Sequence, residues 1–275
     1  MNNLLIVGYK PIFMSSNAYL SSLKRKYGIK SGGYLGTLDP FAKGVMLLGF
    51  GQYTRLFPHI KKHKKTYRAT LWLGARSASL DIENLLEIGS VGELEVAQIE
   101  EVGAGLVGRL SYTPPKYSAK HVGGKRAYEL ARGGQEFELP ACEMEIFDFK
   151  ILGYRHPFLS FEVSVSAGGY VRSLAEIFAQ RLGVCGALSM LERIEDGGFT
   201  LGGREERILN PIEALDYPIL HGMEGLREAA YQGKKLCLKT TQKGIYVADF
   251  GDFFSIIEVK NEGQVEYLLN RIAKC

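Results

Sequence analysis

Gly32-Gly33-Tyr34-Leu35-Gly36-Thr37-Leu38-Asp39-Pro40-Phe41-Ala42-Lys43-Gly44 is the stretch around which the chain is organised. Its four glycines allow positive φ and close approach to a ligand. Pro40 fixes the backbone just after a carboxylate and biases Asp39 toward an extended conformation. The charge setting is unusual. From Met1 to Leu80 there are nine Lys and four Arg, and Asp39 is the only acid. A lone carboxylate in a basic field is expected to stay ionised, which suits a nucleophile acting on something held by its phosphates. The plainer reading is a turn residue or helix cap, the usual use of Asp in such a segment.

The rest of the chain narrows the partner. At 275 residues with 46% apolar and 23% charged content, it falls among globular proteins of one large domain with a small appendage. Asp81 to Glu101 carries seven acids and no Lys or Arg. A basic stretch beside an acidic flank fits an anionic macromolecule better than a membrane. The four cysteines are scattered without a C-x-x-C, so neither a disulfide framework nor a zinc site is expected. The start has no basic n-region, and no run reaches the ~18 apolar residues of a membrane span. The expectation is a cytoplasmic protein.

Periodicity places the remaining candidates. Leu4 to Tyr9 and Val45 to Phe50 read as buried strands, and Ser15-Ser16-Asn17 caps a helix that Gly28 stops. His59 and His63 stand at i, i+4, a metal-binding spacing; four neighbouring lysines (Lys61, Lys62, Lys64, Lys65) would repel a cation and make this a solvated basic face instead. Thr66 to Leu73 alternates, with Tyr67 on the inward face just after those lysines. Tyr67 is then either core or a ring on which a base can stack. Glu93 to Glu101 and Gly124 to Arg132 read as helices, the latter ended by Gly133-Gly134. Phe137 to Tyr154 and Phe158 to Ser166 read as strands. Ser166-Ala167-Gly168-Gly169 opens a helix with Val171, Leu174, Ala175, Phe178, Ala179 and Leu182 on its buried stripe. Arg172 falls in its first turn, where the macrodipole disfavours a cation by ~0.3–1 kcal/mol. It wants a carboxylate or phosphate, or else points to water. Beyond Asn210-Pro211 the pattern gives strands at Leu236 to Leu238, Gly244 to Phe250 and Phe253 to Val259, then a closing helix over Glu262 to Ile272.

Several segments together resemble one family, the TruB-type pseudouridine synthases, which convert the T-loop uridine of tRNA. Tyr34 to Gly44 is similar to their G-H-T-G-T-L-D-P-x-A-x-G signature, and Lys65-Thr66-Tyr67-Arg68-Ala69 to their K-x-Y-x-A strand. Pro114-Pro115-Lys116-Tyr117-Ser118-Ala119 with Gly124 to Arg132 resembles their P-P-x-Y-S-A…G-x-x-x-Y-E-x-A-R block. Gly168-Gly169-Tyr170-Val171-Arg172-Ser173-Leu174 resembles G-T-Y-I-R-x-L, and Lys10-Pro11 with Ser16-Asn17 resembles K-P…S-S. These segments follow the family's order from about Leu4 to Arg193.

The resemblance implies an α+β pseudouridine synthase fold, a mixed and largely antiparallel central sheet flanked by helices, over residues 1–210. Residues 218–275 would form a small β-rich C-terminal unit similar to a reduced PUA-like RNA-binding domain. It implies Asp39 as nucleophile, Tyr67 against the flipped base and Arg172 paired with Asp39, with Tyr34, Tyr170 and Leu191 lining the uridine pocket. Lys10, Lys64 and Lys65 are the candidate substrate-binding cations. The implied reaction is an isomerisation that needs no metal or cofactor, on tRNA through its T stem-loop, with no obligatory protein partner. The rival expectations are a tRNA-folding or RNA-binding protein without essential catalysis, and a guide-dependent relative acting on ribosomal RNA. Three departures stand out: Tyr34 and Leu35 replace the family's His and Thr, the acidic segment after Ser77 is partly retained, and the C-terminal region is short.

Overall fold

The computed structural model describes residues 3–60, 64–238 and 241–274. The central runs of its first and third strands, Leu4 to Val7 and Val45 to Leu48, are wholly hydrophobic because both their faces are covered. In β1 (Leu4–Lys10), Leu4 and Ile6 enter one core while Leu5 and Val7 enter another. β3 (Lys43–Phe50) divides in the same way, Met46 and Leu48 against Val45 and Leu47. Between them lie α1 (Ser16–Tyr27) and β2 (Gly32–Leu35). Ser15 caps α1 by accepting from the Ala18 amide at 3.1 Å, and Gly28 ends it at φ 65°.

The middle of the chain supplies β4 (Lys65–Leu73), the small pair β5 (Ala75–Ser77) and β6 (Leu85–Ile88), α2 (Val96–Ala104) and β7 (Gly108–Tyr112). A hairpin of β8 (His121–Val122) and β9 (Lys125–Arg126) precedes α3 (Ala127–Arg132). The expected helix over Gly124 to Arg132 is therefore only half realised. Gly123 and Gly124, at φ 56° and 84°, make the tight turn that strand pairs favour. Then come β10 (Cys142–Arg155), β11 (Phe158–Val165), α4 (Val171–Arg181), β12 (Gly186–Asp196) and β13 (Glu206–Ile208).

The large sheet runs β13-β1-β3-β12-β4-β11-β10-β7, with β2 also on β3. Its pairings are antiparallel except for β3 with β12, where Lys43 and Gly44 lie parallel to Glu192 and Arg193. That junction carries the chain's central geometry, because it sets the Asp39 turn beside the end of β12. One face of the sheet is covered by α1, α2 and α4 through Tyr19, Leu20, Leu23, Ile99, Leu174 and Phe178.

The other face, behind β1 and β3, is covered by the C-terminal strands. β14 (Ile219–Leu220), α5 (Arg227–Tyr231), β15 (Gly244–Asp249), β16 (Phe253–Val259) and β17 (Val265–Ala273) supply a second sheet in the order β14-β15-β16-β17. Val247, Phe254, Ile256, Leu269 and Ile272 share one core with Leu5, Val7, Val45 and Leu47. The expected closing helix over Glu262 to Ile272 is instead β17. Val265, Tyr267 and Leu269 alternate along it and pair with β16. The expected strand at Leu236 to Leu238 reduces to one bridge, Cys237 to Gln264.

Candidate active site

The turn between β2 and β3 presents Asp39 to a cleft of about 1150 Å³. Both its chain neighbours are pinned. The Ser16 hydroxyl donates to the Leu38 carbonyl at 2.8 Å and accepts from the Leu38 amide at 3.0 Å. The Lys10 ammonium reaches the Pro40 carbonyl at 3.3 Å. Gly44 closes the turn at φ 119°, packed so tightly on the Arg193 backbone that no Cβ fits. The Asp39 side chain is 30% exposed, at the cleft wall.

Arg172 meets it from the first turn of α4. Its Nε lies 2.8 Å from Asp39 Oδ2, while the guanidinium itself is 3% exposed. The contact is a close ion pair, too bent for the directed hydrogen bond that planar pairing would give. The directed bonds go elsewhere. Nη1 donates to the Ser79 carbonyl at 2.7 Å and to Asp81 Oδ2 at 3.2 Å, and Nη2 donates to the Tyr117 carbonyl at 2.9 Å. Asp81, 1% exposed, is held in turn by the Ser79 hydroxyl at 2.6 Å and the Glu83 amide at 2.9 Å. Burial pushes the Asp81 carboxyl up despite Arg172. So Asp39 is not a lone acid in a field of cations: Asp81 and Glu83, just past the basic N-terminal span, line the same cleft.

Tyr67 faces the cleft from β4 and is buried. Burial raises its phenol, with the Arg193 guanidinium opposing, so the hydroxyl keeps its proton at neutral pH. Arg193 is itself buried on β12. Its Nε donates to the Val45 carbonyl at 2.7 Å, and its Nη2 lies 3.2 Å from Asp196 Oδ2. Lys65 shares that carboxylate at 2.9 Å and lines the cleft. Leu191, two residues before Arg193, forms part of the floor. Tyr170 stands at the start of α4, with its ring 6.3 Å from that of Tyr112. Tyr34 donates to Asn17 Oδ1 at 3.1 Å, so the phenol in the family's histidine position is tied to the α1 wall.

Not every expected cation reaches the cleft. Lys10 is fully buried, its Nζ donating to the carbonyls of Pro11 at 2.9 Å, Met14 at 2.6 Å and Pro40. It cannot touch an RNA phosphate; it ties two loops together. Burial lowers its ammonium to about 8 although Asp39 opposes this. Lys64 is exposed but lies off the cleft lining. Lys61, Lys62 and His63 lie outside the described residues; His59 packs edge-on to Tyr217 with centroids 6.4 Å apart. The residues that pattern reading missed are the buried ones, Asp81, Arg193 and Asp196, and the exposed Arg126 and Arg132 that line the cleft. Arg132 stands 5.7 Å over the Tyr128 ring there. Tyr128 and Arg132 occupy specified positions of the G-x-x-x-Y-E-x-A-R block already quoted, a signal that could have found them, whereas Arg126 falls on one of its open positions.

Among the described residues no helix is long and apolar enough to cross a membrane. Residues 24–171 match the model of the TruB family pseudouridylate synthase (N terminal domain). The chain is 55% identical over 272 residues to tRNA pseudouridine synthase B of Helicobacter hepaticus, an alignment spanning 98% of this chain and 96% of that relative. The same enzyme of Campylobacter jejuni is 46% identical over 278 residues, 99% of this chain and 100% of the relative. Among solved structures, a Cbf5-Nop10-Gar1 complex contains a chain that superposes with a TM-score of 0.67 at 17% identity, covering 99% of this chain and 84% of that one. That likeness is one of fold.

Proposed function

The chain belongs to the TruB family of pseudouridylate synthases, and from that premise we propose how its cleft handles tRNA. It is a tRNA pseudouridine synthase, an isomerase. The target is the T-loop uridine, and Asp39 is the nucleophile. The observation that carries this is the Asp39–Arg172 contact at 2.8 Å, opening into a cleft that Tyr67 also faces. Arg172 engages Oδ2 and leaves the other carboxylate oxygen for attack. The uridine leaves its stack, at a cost of about a few kcal/mol, and Tyr67, Leu191 and Tyr170 offer apolar and aromatic surface to the flipped base. Asp39 adds to C1′ of the sugar or to C6 of the ring. The N1–C1′ bond breaks, the uracil turns, C5 joins C1′ as the carboxylate is released, the C5 proton leaves to solvent, and N1 takes up a proton from solvent in its place. Atoms and electrons balance without an oxidant or a second substrate.

Arg126 and Arg132, exposed among the cleft-lining residues, suit the phosphates of a stem-loop. The enzyme works alone on cytoplasmic tRNA. The test is tritium release from C5-labelled uridine in a tRNA transcript with the purified chain and no other protein. Release at a catalytic rate is expected. None, with tRNA still bound, would leave a binding protein or a guide-dependent enzyme.

A further inference from the structure

Phe13 holds a backbone conformation that bulky residues rarely adopt. Its φ is 57°, in the left-handed region, yet its ring is 66% exposed. Ile12 beside it is 42% exposed. Neither belongs to a hydrophobic core cluster, so the core gains nothing from holding Phe13 in this conformation. The conformation is nevertheless imposed. The buried Lys10 ammonium binds the carbonyls of Pro11 and Met14, which bracket Ile12 and Phe13, and the same nitrogen binds Pro40 beside Asp39. One cation thus locks the loop and couples it to the catalytic turn. Two residues further on, Ser15, Ser16 and Asn17 line the cleft. The exposed ring is thus two residues from the first of these cleft-lining residues and tied through Lys10 to the turn that carries Asp39.

We infer that Phe13 is a stacking platform for an unpaired nucleobase of the RNA, next to the uridine that enters the cleft. This rests on the tRNA reading above. Strain kept at an exposed position points to use by a ligand, and every base has a π-face that an aromatic ring can take without sequence preference. Two side chains make a surface of about one base, far below the roughly 800 Å² per partner of a stable protein interface. A rigid ring also stacks with little ordering entropy, because Lys10 has already fixed its backbone.

Phe13→Gly separates this role from a structural one, because the two predict opposite signs. Glycine accepts the positive φ freely, so the melting temperature should hold or rise. KM for a T stem-loop transcript should meanwhile rise at least about fivefold, the lower end of a lost base–aromatic stack, with kcat unchanged. Phe13→Asn, which also tolerates the left-handed region, should behave alike, and Phe13→Tyr should keep the parent KM. With 2-aminopurine at each unpaired position beside the target in turn, one position should be quenched by the parent and not by Phe13→Gly. A KM within about twofold of the parent, or stability and activity falling together in both the Gly and Asn variants, would overturn the inference. Absence of tritium release by the parent would instead strike the tRNA reading itself.

Discussion

Arg172 has more partners than Asp39 alone could provide: two carboxylates and two backbone carbonyls surround one guanidinium. A lysine keeps the charge but not the fork that spans them. Arg172→Lys should therefore bind tRNA nearly as the parent does and lose at least about tenfold in turnover; a full-speed variant would deprive the arginine of its role. Lys10 makes a separate prediction in pH. Its ammonium falls to about 8 when folded, from 10.5 when free. Between those values the unfolded chain holds a proton that the folded chain has lost, so this residue's contribution to stability grows as pH rises through about 8. The same contribution is lost as pH falls through that value. Urea melts of the parent and Lys10→Met at pH 7 and pH 9.5 should show the parent gaining more with pH than the variant. Equal pH slopes would contradict the burial of a charged amine. Asp39, Tyr67 and Arg172 were legible because a motif marks them. Asp81 lies in the partly retained acidic segment after Ser77, but its burial beside Arg172 was not legible, nor were Arg193 and Asp196, since a pattern of residue types does not show which charges the fold will bury.

At the scale of elements, the β3–β12 junction decides whether the cleft exists. Gly44 has φ 119°, and a Cβ there would fall on the Arg193 carbonyl and 2.7 Å from its nitrogen. Gly44→Ala should destabilise the protein by ~2 kcal/mol or more, from overpacking and backbone strain combined, read as a lower urea midpoint. A change under about 0.5 kcal/mol would mean that the two strands can part freely. The strand β12 itself is hard to see in sequence. Register shifts at Leu188/Met190 and Arg193/Glu195 break its alternation, and its buried Arg193 looks like a surface residue. Strands β4 and β11 pair without a shift, and their alternation predicts them well. β17 fails for a related reason. Its run of mixed residues suits either period, and only pairing with β16 makes it a strand.

Across the whole molecule, the C-terminal sheet covers the back of β1 and β3 rather than standing apart. Phe254, fully buried, lies in the same core as Leu5 and Val45. Phe254→Ala should cost about 3–5 kcal/mol and lower a single transition followed by two probes, one in each sheet. Two separated transitions would show units that fold independently. The composition shift after Asn210 marks where a second sheet begins; that it shares a core with the first depends on packing over more than 200 residues of separation, which local pattern does not carry. The most direct test of the cleft's chemistry returns to its organising residue. Asp39→Asn keeps the side chain's shape and leaves the Ser16 and Lys10 bonds to Leu38 and Pro40 in place. In the tritium-release assay it should form no detectable pseudouridine while binding tRNA as the parent does. Turnover within about tenfold of the parent would contradict the assignment of Asp39 as the nucleophile.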